Sequence, residues 1–249
     1  MFNDFLLGLQ FLTRLRLSGE LFWDEKGCGR SVRYFPLVGA VLGLCLVAAW
    51  QVLYVWLPTW VSTYPPTVVV TILTALPILL TGGLHCDGFM DTMDGLFSGR
   101  HRPRMLEIMK DSRVGAHGVT TFLMLFVLKW SLIADLAALT LPAALFAMPV
   151  LGRLAMVVGI TCFPYARENG MGRAFSAYAG EGALWVALAL SFLLVLPLGG
   201  QGLIALVAAL TCAFACGFWV SRKLGGLTGD VYGAMTEITE VVVLLAFLY

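Results

Sequence analysis

The chain has 249 residues, of which 59% are hydrophobic and only 12% charged, with a formal net charge of +1 and a mean hydropathy of +0.88. Soluble domains are about 45–50% apolar and about 25% charged. This composition therefore excludes a soluble protein with a charged shell and requires apolar surface that faces lipid. No basic patch with interleaved aromatics is present, so nucleic-acid binding has no support.

The chain opens on MFNDFLLGLQFLTRLRL, in which Phe2, Phe5, Leu6, Leu9, Leu12 and Leu15 fall near one helical face. That pattern predicts an amphipathic helix lying on the membrane surface. Its basic residues follow the apolar part and no small-residue cleavage site is visible, so it does not read as a cleaved signal peptide. At about 20 apolar residues per crossing, spans are expected at 34–57, 67–80, 119–139, 143–163, 183–198, 203–220 and 231–249. The expected fold is an all-α polytopic membrane bundle of about seven crossings, with six to eight allowed by soft boundaries. Trp60, Tyr64 and the prolines of the 58–66 turn suit a membrane interface. Without an internal repeat or a linker, residues 1–249 read as one domain. The six cysteines show no CxxC pair and sit mostly in apolar runs, so disulfides are not expected.

The charges set an orientation. Arg14, Arg16, Lys26, Arg30 and Arg33, the basic residues of 82–118, and Arg167, Arg173, Arg222 and Lys223 all fall on one side. The opposite loops, 58–66, 140–142 and 199–202, hold no Lys or Arg. The positive-inside tendency places the N-terminus and the polar loops 82–118, 164–182 and 221–240 on the cytoplasmic face.

Chemistry concentrates in residues 82–118. Asp87, Asp91 and Asp94 are spaced i, i+4 and i+7, which lines them along one helical face. Three unpaired carboxylates repel one another, and a hard divalent cation such as Mg²⁺, which prefers oxygen ligands and takes phosphate oxygens as well, removes that repulsion. A solvated acidic face is the bland alternative, but idle carboxylates next to an apolar span are costly. Further on, Lys110 and Arg113 flank Asp111 ahead of Gly115 and Gly118, an arrangement suited to gripping a diphosphate. Arg100, Arg102 and Arg104 fit a patch against lipid head groups.

Arg153 lies in an apolar run, where a cation needs a phosphate or an acidic partner such as Asp111 or Glu240. His85 could serve as a general base, could order Asp87, or could be a hydrogen-bonded structural group. In the last polar loop Asp230 sits among glycines and is followed by Glu237 and Glu240 at i, i+3. These carboxylates satisfy a helix dipole or form a second cation or substrate site.

Several segments together resemble the cobalamin (5'-phosphate) synthase family, also called adenosylcobinamide-GDP ribazoletransferases. They are FLTRL near Thr13, FPLVG at 35–39, GGLHCDGFMDTMDG at 82–95, LEIMKDSRVGAHG from Leu106, YARENGMG from Tyr165 and LGGLTGDVYGAMTE from Leu224. The resemblance covers nearly the whole chain. Met90 and Met93 depart from it, standing where small residues are usual. It implies the last assembly step of vitamin B12: α-ribazole or its 5'-phosphate joined to adenosylcobinamide-GDP, with release of GMP and a requirement for Mg²⁺. It also implies residence in a bacterial or archaeal cytoplasmic membrane, with a homo-oligomer allowed.

On this reading Asp87, Asp91 and Asp94 bind Mg²⁺, and Asp94, Asp111 or His85 accepts the ribazole hydroxyl proton. Lys110, Arg113, Arg153, Asp230, Glu237 and Glu240 contact substrate. The Asp-Gly-x-x-Asp-x-x-Asp pattern also resembles that of CDP-alcohol phosphatidyltransferases, the alternative within enzymes. A transporter is the alternative outside them, although its repeated halves and midplane site are not evident here.

Overall fold

The computed structural model describes residues 2–16, 24–60 and 65–248, and it is helical throughout. Among the described residues the α-helices are α1 (Phe2–Leu12), α2 (Glu25–Ser31), α3 (Phe35–Trp50), α4 (Pro66–Thr81), α5 (Leu84–Phe97), α6 (Arg102–Ile108), α7 (Ala116–Asp135), α8 (Leu141–Cys162), α9 (Met171–Tyr178), α10 (Ala183–Val195), α11 (Gly199–Leu224) and α12 (Gly229–Ala246). Tyr64, assigned from sequence to the aromatic turn, lies outside the described residues.

Four helical runs are long and apolar enough to cross a membrane: Glu25–Thr59, Ala116–Asp135, Leu141–Cys162 and Ala183–Leu224. A fifth arises if Pro66–Thr81 and Leu84–Phe97 form one span broken by a 90° bend. The expected count of seven is not established by this measure. The 42-residue run from Ala183, about twice a crossing, counts once, although Gly199 interrupts it at a positive φ of 69°. The acidic residues of α12 keep that helix out of the count.

Helix α8 is the centre. It is apolar on all faces, and such a helix is stable only when covered all round. Here α3, α12, α11 and α10 cover it, and its residues from Ala147 to Ile160 are buried. The approach of α3 depends on two glycines four residues apart. A Cβ at Gly39 would lie 2.7 Å from the Val150 Cα, and one at Gly43 would lie 2.7 Å from the Phe146 carbonyl oxygen. This small-xxx-small spacing lets two backbones meet where lipid offers side chains no hydrophobic advantage.

The N-terminal helix forms as expected, and much of its apolar face is covered by protein, although Phe2 at its start is 72% exposed. Leu9 and Leu12 are fully buried, α1 packs on α2 and α3, and the Phe11 ring sits 4.6 Å from that of Phe175 on α9. Arg14 then ties this segment to α4, donating its backbone N–H to the Leu80 carbonyl at 2.7 Å.

The 90° corner between α4 and α5 is made by two consecutive left-handed residues, Gly82 at φ 64° and Gly83 at φ 75°. An L side chain at either position would be strained. At the same end of the bundle the 164–166 strip pairs with Leu227 through Ala166 N–H to Leu227 O at 2.7 Å and Leu227 N–H to Pro164 O at 2.8 Å. Arg102 closes the last turn of α11, donating Nε–H to the Leu224 carbonyl at 2.6 Å, so it caps a helix where a lipid contact was expected.

Gly43→Leu is expected to overpack the α3–α8 contact and to cost about 1–3 kcal/mol or more, read as a lower thermal midpoint in detergent. Gly200→Ala, where an added Cβ meets nothing within 4 Å, is the control. Equal midpoints for Gly43→Leu and the parent chain would remove the close crossing as a source of stability.

Candidate active site

Helix α5 carries the acidic stripe as the spacing predicted, but its three aspartates do different things. Asp87 is exposed, Asp91 half-buried and Asp94 buried. Asp94 accepts the backbone N–H of Gly115 at 2.6 Å and that of Gly118 at 2.8 Å, one on each oxygen. These amides open α7, so Asp94 holds the positive end of a helix. Both glycines are required by proximity: a Cβ at Gly118 would stand 2.6 Å from Asp94 Oδ2, and one at Gly115 would meet the same carboxylate.

Asp91 instead faces Asp87, Asp94 and, from α12, Asp230. The fourth carboxylate reaches the stripe because α5 and α12 cross with almost nothing between them. A Cβ at Gly88 would lie 2.7 Å from the Asp230 carbonyl oxygen, and one at Gly233 would lie 3.1 Å from that of His85. Asp230 accepts from Thr228 Oγ1 at 3.2 Å and is paired with Arg167 Nη2 at 2.7 Å.

Arg167 is the cation of this site, and sequence reasoning missed it, counting it only among the loop charges. Its side chain is 11% exposed, Nη2 also donates to the Met109 carbonyl at 3.3 Å, and Nε has no partner. The signal was its place in YARENGMG, a glycine-containing polar segment beside the acidic loops.

Lys110 and Arg113, expected to grip a diphosphate, are at the surface. Arg113, with an 88% exposed side chain, forms a two-pronged pair with Asp111 at 3.0 and 2.7 Å. This pairing holds the Asp111 carboxyl at about 2, far too acidic for a general base near neutrality. None of the three lines a cavity at the aspartates.

Arg153, Glu237 and Glu240 form a separate unit in the core. Lys129 Nζ lies 2.7 Å from Glu237 Oε2 and 2.6 Å from Glu240 Oε2, while Arg153 Nη1 lies 2.5 Å from Glu240 Oε1. Of the alternatives open for Arg153 the structure selects the ion pair with Glu240. Lys129 was not singled out from sequence, although a lone lysine inside the apolar run of α7 is itself a signal. Cys86 Sγ donates to Glu237 Oε1 at 3.6 Å and links this unit to α5. With two cations and two carboxylates it is neutral and nearly closed to solvent, so it braces α7, α8 and α12.

Two cavities meet at Asp87. An enclosed one of about 200 Å³ is bounded by Asp87, His85, Arg167 and Asp230 on its polar side. An open groove of about 960 Å³ lies between α1, α4, α5 and α7 and takes in Arg14. Phe11, Leu84 and Asp87 belong to both. His85 is 2% exposed and its Nε2 has no hydrogen-bond partner.

The donor set, carboxylate oxygens in an uncompensated cluster, suits a hard cation. Among the described residues no three His, Cys, Asp or Glu side chains already converge on one point. The departure of Asp94 toward α7 is part of the reason. Asp87 and Asp91 are the groups placed to hold such an ion, together with Asp230, whose Oδ2 is shared with Arg167 and Thr228.

The description "cobalamin-5-phosphate synthase" belongs to the family model that matches residues 4–248. A protein of Desulfitobacterium hafniense (strain Y51) named adenosylcobinamide-GDP ribazoletransferase is 41% identical over 96% of this chain and 94% of its own. Proteins of the same name from Roseiflexus sp. (strain RS-1) and Acetivibrio thermocellus are 42% and 35% identical, over 95% and 97% of this chain and 85% and 96% of their own. No solved structure matches the chain significantly. A match that runs from the first turn of α1 to the end of the described chain, with relatives covered over 85–96% of their own length, places this protein in the cobalamin-5-phosphate synthase family.

Proposed function

We propose that this chain acts as its relatives are named, transferring the adenosylcobinamide phosphate of adenosylcobinamide-GDP to α-ribazole or its 5'-phosphate and releasing GMP. The observation that carries the reading is that Asp87 and Asp230 border one cavity, with Asp91 near enough to feel the charge of both and Arg167 paired to Asp230, where two cavities meet. A diphosphate donor needs both a cation held by carboxylates and a guanidinium, and an alcohol acceptor needs a second space beside it. Mg²⁺ held by Asp87, Asp91 and Asp230 would supply charge neutralisation at the phosphoryl oxygens. Asp94 keeps α5 and α7 in register beneath it.

In this scheme the ribazole hydroxyl oxygen attacks the phosphorus attached to cobinamide. A new P–O bond forms as the bond to the GMP phosphate breaks, with its electron pair leaving on GMP. Arg167 stabilises the departing phosphate, a contact stronger in the transition state than before it. Of the three base candidates, Asp94 is committed to backbone amides and Asp111 is a surface ion pair. His85 borders the enclosed cavity with Nε2 unpartnered and takes the hydroxyl proton. The reaction belongs to an integral membrane enzyme of the cytoplasmic membrane, with the N-terminus and the polar loops on the cytoplasmic side.

Purified protein supplied with both substrates is expected to release GMP, to stop in excess chelator and to recover when Mg²⁺ is returned. Full activity in chelator would remove the metal from the scheme. Asp87→Asn and Arg167→Ala should each lose about 10²-fold or more in kcat/KM, as expected for groups that act on transition-state charge. Arg113→Ala, a change at an exposed surface pair, should stay within about twofold. Should Arg113→Ala fall as far as Arg167→Ala, the phosphate grip would return to the 110–113 segment. For His85→Gln a loss of about 10²-fold or more is expected, with the acid-side fall of the rate flattened because the imidazole acts only when unprotonated; a near-normal rate and an unchanged pH profile would exclude it as base.

A further inference from the structure

The two cavities at Asp87 differ in size, enclosure and lining, and that difference assigns them. The enclosed one is walled by aromatic and apolar side chains from five separate segments: Phe35 on α3, Met156 and Ile160 on α8, Tyr165 in the following loop, Phe175 on α9 and Tyr232 on α12. Its polar lining includes three buried atoms without a hydrogen-bond partner, His85 Nε2, Arg167 Nε and Tyr232 Oη. Buried polar atoms are almost always satisfied, so three orphans on one small cavity point to a ligand that satisfies them. At about 200 Å³ it is much the smaller of the two spaces, the open groove holding about 960 Å³, so the smaller substrate belongs to it.

We propose that the enclosed cavity is the subsite of the acceptor nucleoside, with its flat aromatic base among Phe35, Phe175 and Tyr165 and its ribose hydroxyls toward His85, Arg167 and Asp87. The corrinoid of the donor, a macrocycle far too large for this space, lies along the open groove. That groove opens beside Val119, Leu123 and Phe126, an apolar wall whose exposed residues suit a bulky ring approaching from the lipid side. Asp87 belongs to both walls, so the diphosphate bridges the two spaces there and the hydroxyl meets it from the enclosed side. The assignment rests on the reaction proposed above.

Ile160 is 3% exposed and stands in the wall of the enclosed cavity, while Val119 is 52% exposed at the groove. In GMP-release kinetics with each substrate varied in turn, Ile160→Phe is expected to raise the KM for α-ribazole about tenfold or more and to leave the donor KM within about twofold. Val119→Trp is expected to do the reverse. An unchanged donor KM reports that the fold of the Ile160 variant is intact. A raised donor KM in Ile160→Phe with the acceptor unaffected, or no effect on either, would overturn the assignment.

A measurement on the unaltered protein covers the case in which Ile160→Phe does not fold. An azido-benzimidazole riboside is photo-cross-linked without donor and the labelled peptides are mapped. Label in 156–175 or 229–233 supports the subsite, and label confined to 78–83 or 119–126 refutes it. Cavity labelling by a protein that releases no GMP would reject the reaction and keep the nucleoside pocket, so the two failures are distinguishable.

Discussion

The close crossing of α5 and α12 is the constraint on which the rest of the site depends. Gly88 meets the backbone of Asp230 and Gly233 meets that of His85, so the two helices touch main chain to main chain. Only at that separation can Asp230 stand opposite Asp87 and Asp91. The same contact sets the depth of α12, and with it the reach of Glu237 and Glu240 toward Lys129 and Arg153. In a bundle surrounded by lipid, where apolar side chains gain little by leaving hydrocarbon for protein, small residues at the crossing are the available means of bringing such helices together.

Two clusters of charge hang from that crossing, and their balance separates their roles. The inner one pairs two cations with two carboxylates and is complete in itself. Removing one member of a buried pair costs about 3–5 kcal/mol because its partner is left charged and unsolvated, which makes the four side chains a single structural unit. The outer cluster sets four aspartates against the ion-paired Arg167, and one of the four is spent on the amides of α7. An excess of negative charge at the mouth of two cavities is relieved by a bound cation or by proton uptake on one of the carboxylates. The inner cluster therefore holds helices in place, and the outer one is the site proposed for the ligand.

Much of this was legible before any coordinates. The acidic stripe at i, i+4, i+7, the apolar excess and the family motifs together indicated a helical membrane phosphotransferase, and the stripe does form one helix. What was misplaced was the cationic partner. Lys110 and Arg113 looked right because they flank an aspartate between glycines, but a pairing two residues long satisfies Arg113 locally and leaves it outside. Arg167 meets Asp230 across 63 positions of chain, and no periodicity reports a contact of that span. Asp94 is a similar case: its two amide donors lie 21 and 24 residues away, so its spacing announced a metal ligand while its geometry made it a helix anchor.

The division follows from the range of the forces involved. Sequence by itself determined the membrane class, the helices and the existence of an acidic face, because apolar run length and helical periodicity are local properties that each segment carries alone. It also determined family membership, since the motifs stand in linear order along the chain. Tertiary structure decided which carboxylates are free, which cation faces them, which charges cancel in the core, and where the cavities open. Those outcomes depend on how close two helices can approach and on the 90° turn at Gly82 and Gly83, and such distances exist only once the backbones have packed.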